Sequence, residues 1–357
     1  MALPTIEELL QMLVDRGGSD LHLSAGSPPK LRVHGTMTNT EHEVLRPDAT
    51  KNLIFSFLTG DQVARFEKDL ELDLSFGVDG MGRFRVNVFY QRGSVAAVLR
   101  MIPAVVRTFE DLRLPRKICE EIASIPRGLV LFTGATGSGK STSLAAMLDY
   151  INETRADHVV TVEDPIEFLH HNKGCLFNQR EIGSDTKSFS RALRSALRQD
   201  PDVVLVGEMR DTETIEAALT IAETGHLTFG TLHTSDCVQS INRIVDVFPA
   251  HQQQQVRTQL SFTLQAVISQ QLLPRAGGAG RVLATEVLLV TAAVRSLIRE
   301  NKAHQIYTIL QTGGRLGMRT MNQALADLYR QGLLSLDDAL GASPDPAEFR
   351  RLFGGPS

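Results

Sequence analysis

The amino-acid sequence predicts an α/β protein in which a small α+β domain is followed by a P-loop α/β domain and a helical C-terminal region. Three observations predict it: strand patterns dominate residues 1–102, strands separated by helices begin at residue 127, and helical patterns dominate after His251. With 357 residues, 42% hydrophobic and 22% charged, the chain has an ordinary composition and room for about two domains.

The first domain is expected to cover residues 1–102 and to begin with a helix. Thr5 and Glu8 have the spacing of a capping box, and apolar residues then repeat at helical spacing until Gly17 and Gly18 end the helix. A second helical pattern covers residues 47–70. Alternating patterns predict strands at 20–24, 31–34, 72–76, 83–90 and 95–101.

A linker is expected over residues 103–126, because Pro103, Pro115 and Pro126 interrupt regular structure there and leave room for a short helix at 118–123. The core of the second domain then covers residues 127–275. Its strands are predicted at 129–132, 158–162, 203–206 and 226–231, and its helices at 187–199, 211–223 and 238–246.

The chain after His251 is expected to be mainly helical, apart from a strand pair near 281–290. Residues 276–342 therefore form the predicted C-terminal helical region. Its helices are predicted at 292–301, 303–311, 318–332 and 335–340. Prolines and glycines beyond Ser343 predict a flexible tail over 343–357.

A phosphate-binding loop opens the second domain. Its residues, Gly134-Ala135-Thr136-Gly137-Ser138-Gly139-Lys140-Ser141, fit the pattern G-x-x-x-x-G-K-[ST], and an apolar strand precedes them while a helical run from Thr142 follows. Glycines let backbone amides turn toward a phosphate, and a helix N-terminus adds partial positive charge. Lys140 is expected to reach the terminal phosphates, and the Ser141 hydroxyl to ligate Mg²⁺. The sequence therefore predicts that residues 134–142 bind a nucleoside triphosphate.

Two apolar strands end in carboxylates. Phosphoryl transfer to water needs such groups to hold a metal ion and to orient the attacking water. The first has the shape of a Walker B motif, with Gly207 where many P-loop enzymes have Asp, so Glu208 is the expected ligand of Mg²⁺ or of its water shell. The second offers Glu163 to orient or deprotonate the attacking water, with Asp164 and Glu167 as weaker candidates. An acidic residue that merely closes a surface strand is the alternative for each.

Two histidines bracket the strand predicted at 226–231. His233 follows its carboxyl end and is the better placed to sense the γ-phosphate, whereas a structural role and a catalytic role are both open for His226. Neither has further ligands at zinc spacing, so no zinc site is expected.

Arginines gather on the last two predicted strands of the first domain. Arg83 and Arg85 alternate on one strand and so share a face, and Arg100 lies on the next strand. They form either a solvated polar face or a surface that closes over the nucleotide and supplies arginine fingers.

Net charge and cysteine content limit the kinds of partner and compartment that are expected for this chain. A net charge of −4 gives no global basic field, so direct binding of nucleic acid is not expected. Cys119, Cys175 and Cys237 are far apart in the sequence, which argues against a disulfide framework and indicates reduced, intracellular thiols. No signal peptide or apolar run long enough to span a membrane is found, so the chain is expected to reach membranes only by docking.

Four motifs together resemble the secretion ATPase superfamily. They stand in the order Walker A, Asp box, Walker B and His box at residues 134–141, 161–168, 205–211 and 224–234. Longer runs at 17–23, 199–204 and 241–249 resemble the type IV pilus retraction ATPase family, the PilT family, and the likeness extends from about residue 5 to about residue 341. Residues 293–300 are similar to that family's AIRNLIRE motif, with Val294 and Ser296 departing from it.

The resemblance implies a cytoplasmic homo-hexamer, peripherally associated with the inner membrane at the pilus base, whose subunits pair a PAS-like N-terminal domain with a RecA-like ATPase domain. ATP hydrolysis with Mg²⁺ would then drive pilus retraction and twitching motility through an inner-membrane platform protein. An accessory retraction ATPase is a further candidate partner. By the same resemblance, Glu163 is the catalytic glutamate, Glu208 the Walker B glutamate, and His226 and His233 the His-box pair. Arg83, Arg85 and Arg100 match the arginines that this family places near the phosphates.

Other functions remain open from the sequence. The chain also resembles the accessory retraction ATPase. An accessory subunit would assemble with another ATPase and would contribute to the structure of the complex more than to ATP hydrolysis. A motor for conjugative or type II secretion cargo or for DNA, and a metabolite kinase, are weaker alternatives. Intact Lys140, Glu163 and Glu208 favour a working motor.

Overall fold

The computed structural model describes residues 4–102, 105–278 and 280–353. The chain divides into two compact units, one formed by residues up to Val105 together with Glu167–Leu169, and the other by residues 106–166 and the chain from His170 onward. Parts of four predicted segments lie outside the described residues: 1–3 of the first domain, 103–104 of the linker, 279 of the C-terminal region and 354–357 of the tail.

The first unit is an antiparallel sheet covered by helices. Within residues 4–102 its helices are α1 (Ile6–Asp15), α2 (Pro47–Phe55) and α3 (Gly60–Asp69), and its strands are β1 (Gly18–Leu23), β2 (Lys30–Val33), β3 (Thr36–Asn39), β4 (Glu71–Val78), β5 (Gly82–Gln91) and β6 (Ser94–Ile102). The strand order is β3-β2-β1-β6-β5-β4. Leu9 and Leu13 of α1 pack with Leu21 of β1 and Leu99 of β6 in one buried cluster, so the apolar face of each element is turned inward.

Local chemistry explains where these elements begin and end. The predicted capping box forms at α1, where the Thr5 side chain accepts from the Glu8 amide and the Glu8 side chain accepts from the Thr5 amide. The helical pattern predicted over 47–70 is two helices, because Thr59 starts a second capping box with Gln62. Strand β3 was not predicted, since its short polar sequence carries no hydrophobic alternation.

The second unit contains a mostly parallel sheet. Its strands are β7 (Gly128–Thr133), β8 (His158–Glu163), β9 (Leu176–Glu181), β10 (Val203–Val206), β11 (Leu227–Leu232), β12 (Leu264–Pro274) and β13 (Arg281–Leu289). They are arranged in the order β13-β12-β7-β11-β10-β8-β9, and in the described residues only β13 runs antiparallel to its neighbour. Every residue of β7 and β11 is buried, as expected for central strands covered on both faces.

Helices cover both faces of this sheet. They are α4 (Phe109–Leu112), α5 (Arg116–Ala123), α6 (Lys140–Thr154), α7 (Phe189–Ala196), α8 (Thr212–Glu223), α9 (Cys237–Asp246), α10 (Ala250–Thr263), α11 (Ala292–Arg299), α12 (Ile306–Thr312), α13 (Met321–Arg330), α14 (Leu336–Ala342) and α15 (Pro346–Phe353). Within the described ranges, no helix combines the length and the apolar composition that crossing a bilayer needs.

Two predictions for the C-terminal part are wrong. The strand pair expected near 281–290 has only β13 there, because its partner β12 is formed by residues 264–274, which were expected to be helical, and β12 also pairs with β7. An apolar run buried on both faces has the same sequence pattern in a strand and in a helix. The tail is also ordered over 346–353, where α15 buries Phe349 completely and the Glu348 carboxylate accepts hydrogen bonds from Tyr307, Gln311 and Asn322.

Candidate functional site

The predicted site residues of the second unit meet at one edge of its sheet. Strands β7, β11, β10 and β8 are parallel neighbours in that order. The P-loop, His233, Glu208 and Glu163 follow or end these strands in the same order. Because the carboxyl ends of parallel strands share an edge, residues separated by up to 99 positions in sequence become neighbours.

The P-loop has a backbone that only glycine tolerates at its first position. Gly134 has φ +141°, and a Cβ there would lie 2.4 Å from the carbonyl oxygen of Gln270 and 2.6 Å from Oγ of Ser138. Gly137 and Gly139 also have positive φ values, +78° and +93°, which favour glycine. In contrast to Gly134, a Cβ at Gly137 would meet nothing within 4 Å. The loop tip at Ala135–Gly137 is exposed to solvent.

Lys140 begins helix α6 and points back along the loop. It is 9% exposed, and its Nζ donates hydrogen bonds to the carbonyl oxygens of Gly134 at 2.7 Å and Ala135 at 3.0 Å. The ammonium group is therefore held over the same loop whose amides would bind a phosphate, and the N-terminus of α6 adds its partial positive charge. Ser141 and Thr142 follow in the first turn and are half-buried.

Glu208 is bound by two basic side chains. Its Oε1 lies 2.9 Å from Nε2 of His233 and also accepts from Nε of Arg210, which raises the pKa of Arg210. The structure explains why glycine precedes it: the Gly207 amide donates to the Val162 carbonyl, and a Cβ at Gly207 would lie only 3.0 Å from that oxygen. Strand β8 thus leaves little space for the aspartate that many P-loop enzymes carry.

Glu163 is held by side chains from two strands. Its Oε1 accepts a hydrogen bond of 2.7 Å from Oγ1 of Thr161 and one of 3.2 Å from Nε2 of Gln179. Gln179 lies on β9, which was not predicted and which carries few apolar residues. Sequence reasoning therefore missed Gln179, and the one available signal was its position in a polar run after the Asp box.

His226 does not join this cluster. Its carbonyl oxygen accepts from the Gly128 amide, so it lies at the start of β7, whereas the P-loop follows the end of β7. Its Nδ1 lies 2.9 Å from the carbonyl oxygen of Ile221 and 3.2 Å from Oγ1 of Thr224. The ring of His226 therefore caps the end of α8 at the edge of the sheet opposite to its own chain's P-loop, and a catalytic role for it stays a prediction.

The predicted arginines lie in the first unit. Arg85 on β5 is directly opposite Arg100 on β6, and Arg83 shares the face of Arg85, so all three are on one face of that sheet. Nε of Arg100 donates to the buried Asp20 at 2.7 Å, and Arg83 donates to Ser75 at 2.6 Å.

Asp20 is a residue that sequence reasoning missed in the first unit. It is only 3% exposed and lies on β1, beside Arg100 of β6. Burial alone would raise its pKa, but hydrogen bonds from Ser19 and Arg100 outweigh burial and lower the pKa below the ordinary value. An acidic residue within the apolar alternation of β1 was the available signal.

The oxygen donors at the edge of the second unit suit Mg²⁺. Ser141 offers a hydroxyl in the first turn of α6, and Glu208 offers a carboxylate whose side chain is 20% exposed. Hydroxyl and carboxylate oxygens are ligands that Mg²⁺ accepts, usually together with water and phosphate oxygens. These two residues therefore fit the metal that the sequence predicts.

Comparison with known proteins assigns the family. A family model described as type II/IV secretion system protein matches residues 2–340. The chain belongs to this family. A protein of Pseudomonas aeruginosa named type IV pilus retractation ATPase PilT is 52% identical to this type II/IV secretion system protein over 96% of the chain and 99% of its own length. The type IV pilus ATPase PilU of the same organism is 43% identical over 97% of the chain and 90% of its own length.

A solved structure agrees with the fold described above. The crystal structure of the pilus retraction motor PilT with bound ADP matches with a TM-score of 0.91 at 52% identity, over 98% of this chain and 99% of that one. The predicted resemblance to the retraction ATPases is thereby confirmed, as is a mixed α/β fold. ATPase, the predicted enzyme class, is also the class named for both relatives.

The C-terminal motif of this type II/IV secretion system protein forms α11. Val294 and Ile298 are buried, whereas Arg295 donates hydrogen bonds to the carbonyl oxygens of Ser261 at 2.6 Å and Phe262 at 3.0 Å. Both carbonyls belong to the last turn of α10, which has no intrahelical donors for them. The first arginine of the motif therefore caps the C-terminus of α10.

Proposed function

We propose that this chain is a hexameric motor ATPase that hydrolyses ATP to power type IV pilus retraction and twitching motility. The observation that carries the proposal is the meeting of Lys140, Glu163 and the Glu208–His233 pair at one sheet edge, in a chain 52% identical to PilT over almost its full length. In this proposal the chain is a cytoplasmic protein that associates peripherally with the inner membrane at the pilus base.

Each side chain at the edge has a role in this proposal. Residues 134–142 bind the phosphates, and the Lys140 ammonium leaves its carbonyl partners to neutralise the terminal phosphates. Glu163, fixed by Thr161 and Gln179, orients the attacking water or accepts its proton. Mg²⁺, held by Ser141 and Glu208, would supply charge neutralisation when bound. His233 reports the state of the γ-phosphate through its contact with Glu208.

The remaining parts of the proposal concern assembly. Residues 1–102 form a PAS-like domain, 127–275 a RecA-like core and 276–342 a C-terminal region that carries the retraction motif. Residues 103–126 form a linker whose helices α4 and α5 pack within the second unit. Arg83, Arg85 and Arg100 supply positive charge to the phosphates within the hexamer. The ring passes its motion to an inner-membrane platform protein, and an accessory retraction ATPase is a further partner. The 52% identity with PilT and the shared face of the three arginines support this assignment.

The test compares the wild type with Glu163→Gln, which keeps the size of the side chain and removes its basicity. Phosphate release, ADP affinity and size on a calibrated column in ATP are measured for both proteins, with Glu153→Gln, at an exposed position near the C-terminal end of α6, as the matched control. We expect both Glu163 forms to assemble into hexamers and bind ADP, and only Glu163→Gln to lose hydrolysis, by about a hundredfold or more. Glu153→Gln is expected to retain hydrolysis.

A second arm tests the link to pili. A strain that lacks the gene is complemented with the wild type or with Glu163→Gln, and surface pili and twitching are counted. Excess pili without twitching in the variant strain support the retraction motor. An inactive wild-type monomer would instead favour the accessory role suggested by the 43% identity with PilU.

A further inference from the structure

Gln270 lies behind the P-loop, near the middle of β12, and the proposed hydrolysis gives it no role. It is 1% exposed, and its Nε2 donates a hydrogen bond of 2.7 Å to Oγ of Ser143. Ser143 is the fourth residue of α6 and is also 1% exposed. A buried glutamine thus joins β12 to the beginning of the helix that follows the P-loop.

The backbone of the same residue supports the other end of the loop. Ser269 pairs with Thr133, the last residue of β7, so Gln270 is beside Gly134. The carbonyl oxygen of Gln270 would lie 2.4 Å from a Cβ at Gly134, a distance that only glycine permits. Gln270 therefore contacts the residue that enters the P-loop and, through Ser143, the helix turn that leaves it.

Two buried polar atoms indicate that this region has a functional role in addition to packing. Oε1 of Gln270 and Oγ of Ser138 are both buried, and neither has a hydrogen-bond partner among the described residues. Both residues flank Gly134. Buried unpaired groups cost free energy, and proteins keep them where function constrains the backbone.

We propose that Gln270 is a positioning residue of the P-loop. It fixes the distance between the end of β7 and the first turn of α6, and so sets where Lys140 and Ser141 stand relative to a bound phosphate. It acts through Ser143 and Gly134 and does not touch the nucleotide. The inference rests on the proposed binding of a nucleotide by this loop.

The test is a double-mutant cycle on nucleotide binding. Gln270→Ala, Ser143→Ala and the double variant are titrated with a fluorescent ADP analogue and Mg²⁺, and their KM, kcat and melting temperatures are measured. Gln271→Ala is the matched control, because Gln271 is the next residue of the strand and points to the opposite face. ADP binding requires no hydrolysis, so a wild type that binds ADP without hydrolysing ATP would contradict the motor and leave this inference standing.

We expect each single variant to weaken ADP binding about tenfold, the usual cost of leaving a buried hydrogen-bonding group unpaired or absent. The double variant should bind no more than about twofold more weakly than either single variant, because both remove one contact. KM should rise with these losses, and Gln271→Ala should match the wild type.

Three results would overturn the inference. They are single variants whose ADP affinity matches the wild type, losses that multiply in the double variant, and a lowered melting temperature with unchanged affinity, which indicates a purely structural role. Ser143→Ala keeps the comparison decisive if Gln270→Ala does not fold, because alanine is well tolerated in a helix. A wild type that does not bind ADP would overturn the proposed function and this inference together.

Discussion

Nε2 of His233 lies 2.9 Å from Oε1 of Glu208, which joins the residue after β11 to the carboxylate that follows β10. The contact connects neighbouring strands at the edge where the P-loop also lies. A histidine in this position can donate a hydrogen bond to Glu208 or turn toward a phosphate. One ring can therefore contact either the Walker B carboxylate or the phosphate that reacts.

The first prediction concerns this histidine. His233→Ala is expected to lower kcat for ATP hydrolysis about a hundredfold, because Glu208 loses one of its two basic neighbours and the proposed contact of the ring with the γ-phosphate can no longer form. ADP affinity should stay close to that of the wild type, since the P-loop is unchanged. Steady-state hydrolysis and ADP titration measure the two effects. A variant with wild-type kcat would contradict the role given to His233.

His226 provides the matched control for that variant. The two histidines bracket the same strand, but the ring of His226 contacts Ile221 and Thr224 at the far edge of the sheet. His226→Ala should therefore keep its kcat and lose only some stability. A large loss of kcat with an intact fold would show that His226 acts at a site other than the P-loop of its own chain.

The second prediction concerns the first glycine of the P-loop. Gly134→Ala should destabilise the protein by about 3 kcal/mol and abolish ADP binding, because its Cβ would collide with a backbone carbonyl that cannot move without shifting β12. Gly137→Ala, with the left-handed conformation but open space, should cost only about 1 kcal/mol. Urea denaturation and ADP titration of both variants provide the comparison. Equal losses in the two would refute the steric explanation.

The third prediction separates the two arginines of the C-terminal motif. Arg295→Ala should lower the free energy of unfolding by about 2 kcal/mol, because it leaves the carbonyls of Ser261 and Phe262 without a donor. Arg299→Ala should have little effect on stability, since its guanidinium lies over the exposed Phe262 ring at 5.7 Å. Thermal unfolding of both variants measures the difference. If Arg295→Ala is as stable as Arg299→Ala, the capping role is wrong.

The fourth prediction concerns pH. His170 stacks on Phe177 with ring centroids 4.8 Å apart, and its burial lowers its pKa to about 4, despite the opposing charge of Asp149. The neighbouring charges of Lys173 and His171 lower this pKa further. The folded state therefore favours the neutral ring. Its contribution to stability is complete above the ordinary histidine pKa of about 6.5 and is lost as the pH falls toward about 4.

His170→Phe tests this effect, because it keeps the ring stack and removes the titration. Between about pH 7.5 and about pH 5, the wild type should lose about 2 kcal/mol more of its unfolding free energy than the variant does. Denaturant titrations of both proteins at the two pH values give the difference. Parallel losses in the two proteins would show that His170 does not titrate with unfolding.

Elements with a local cause could be predicted from residue types and their spacing. The capping box at Thr5, the P-loop between β7 and α6, and the carboxylates Glu208 and Glu163 at strand ends could each be predicted from residue types and spacing. Hydrogen bonds within a few residues and a pattern of alternation or burial specify these features.

Features that depend on pairing between distant segments could not be predicted in this way. Strand β12 could not be told from a helix until β7 and β13 were found on either side of it, and α15 is ordered because Glu348 meets three side chains from α12 and α13. The same holds for Gln179 beside Glu163 and for His226 at the far edge of the sheet. In each of these cases the role of a side chain depends on neighbours that are distant in sequence. Sequence spacing does not reveal such neighbours, because strand order and register set the contacts across a sheet.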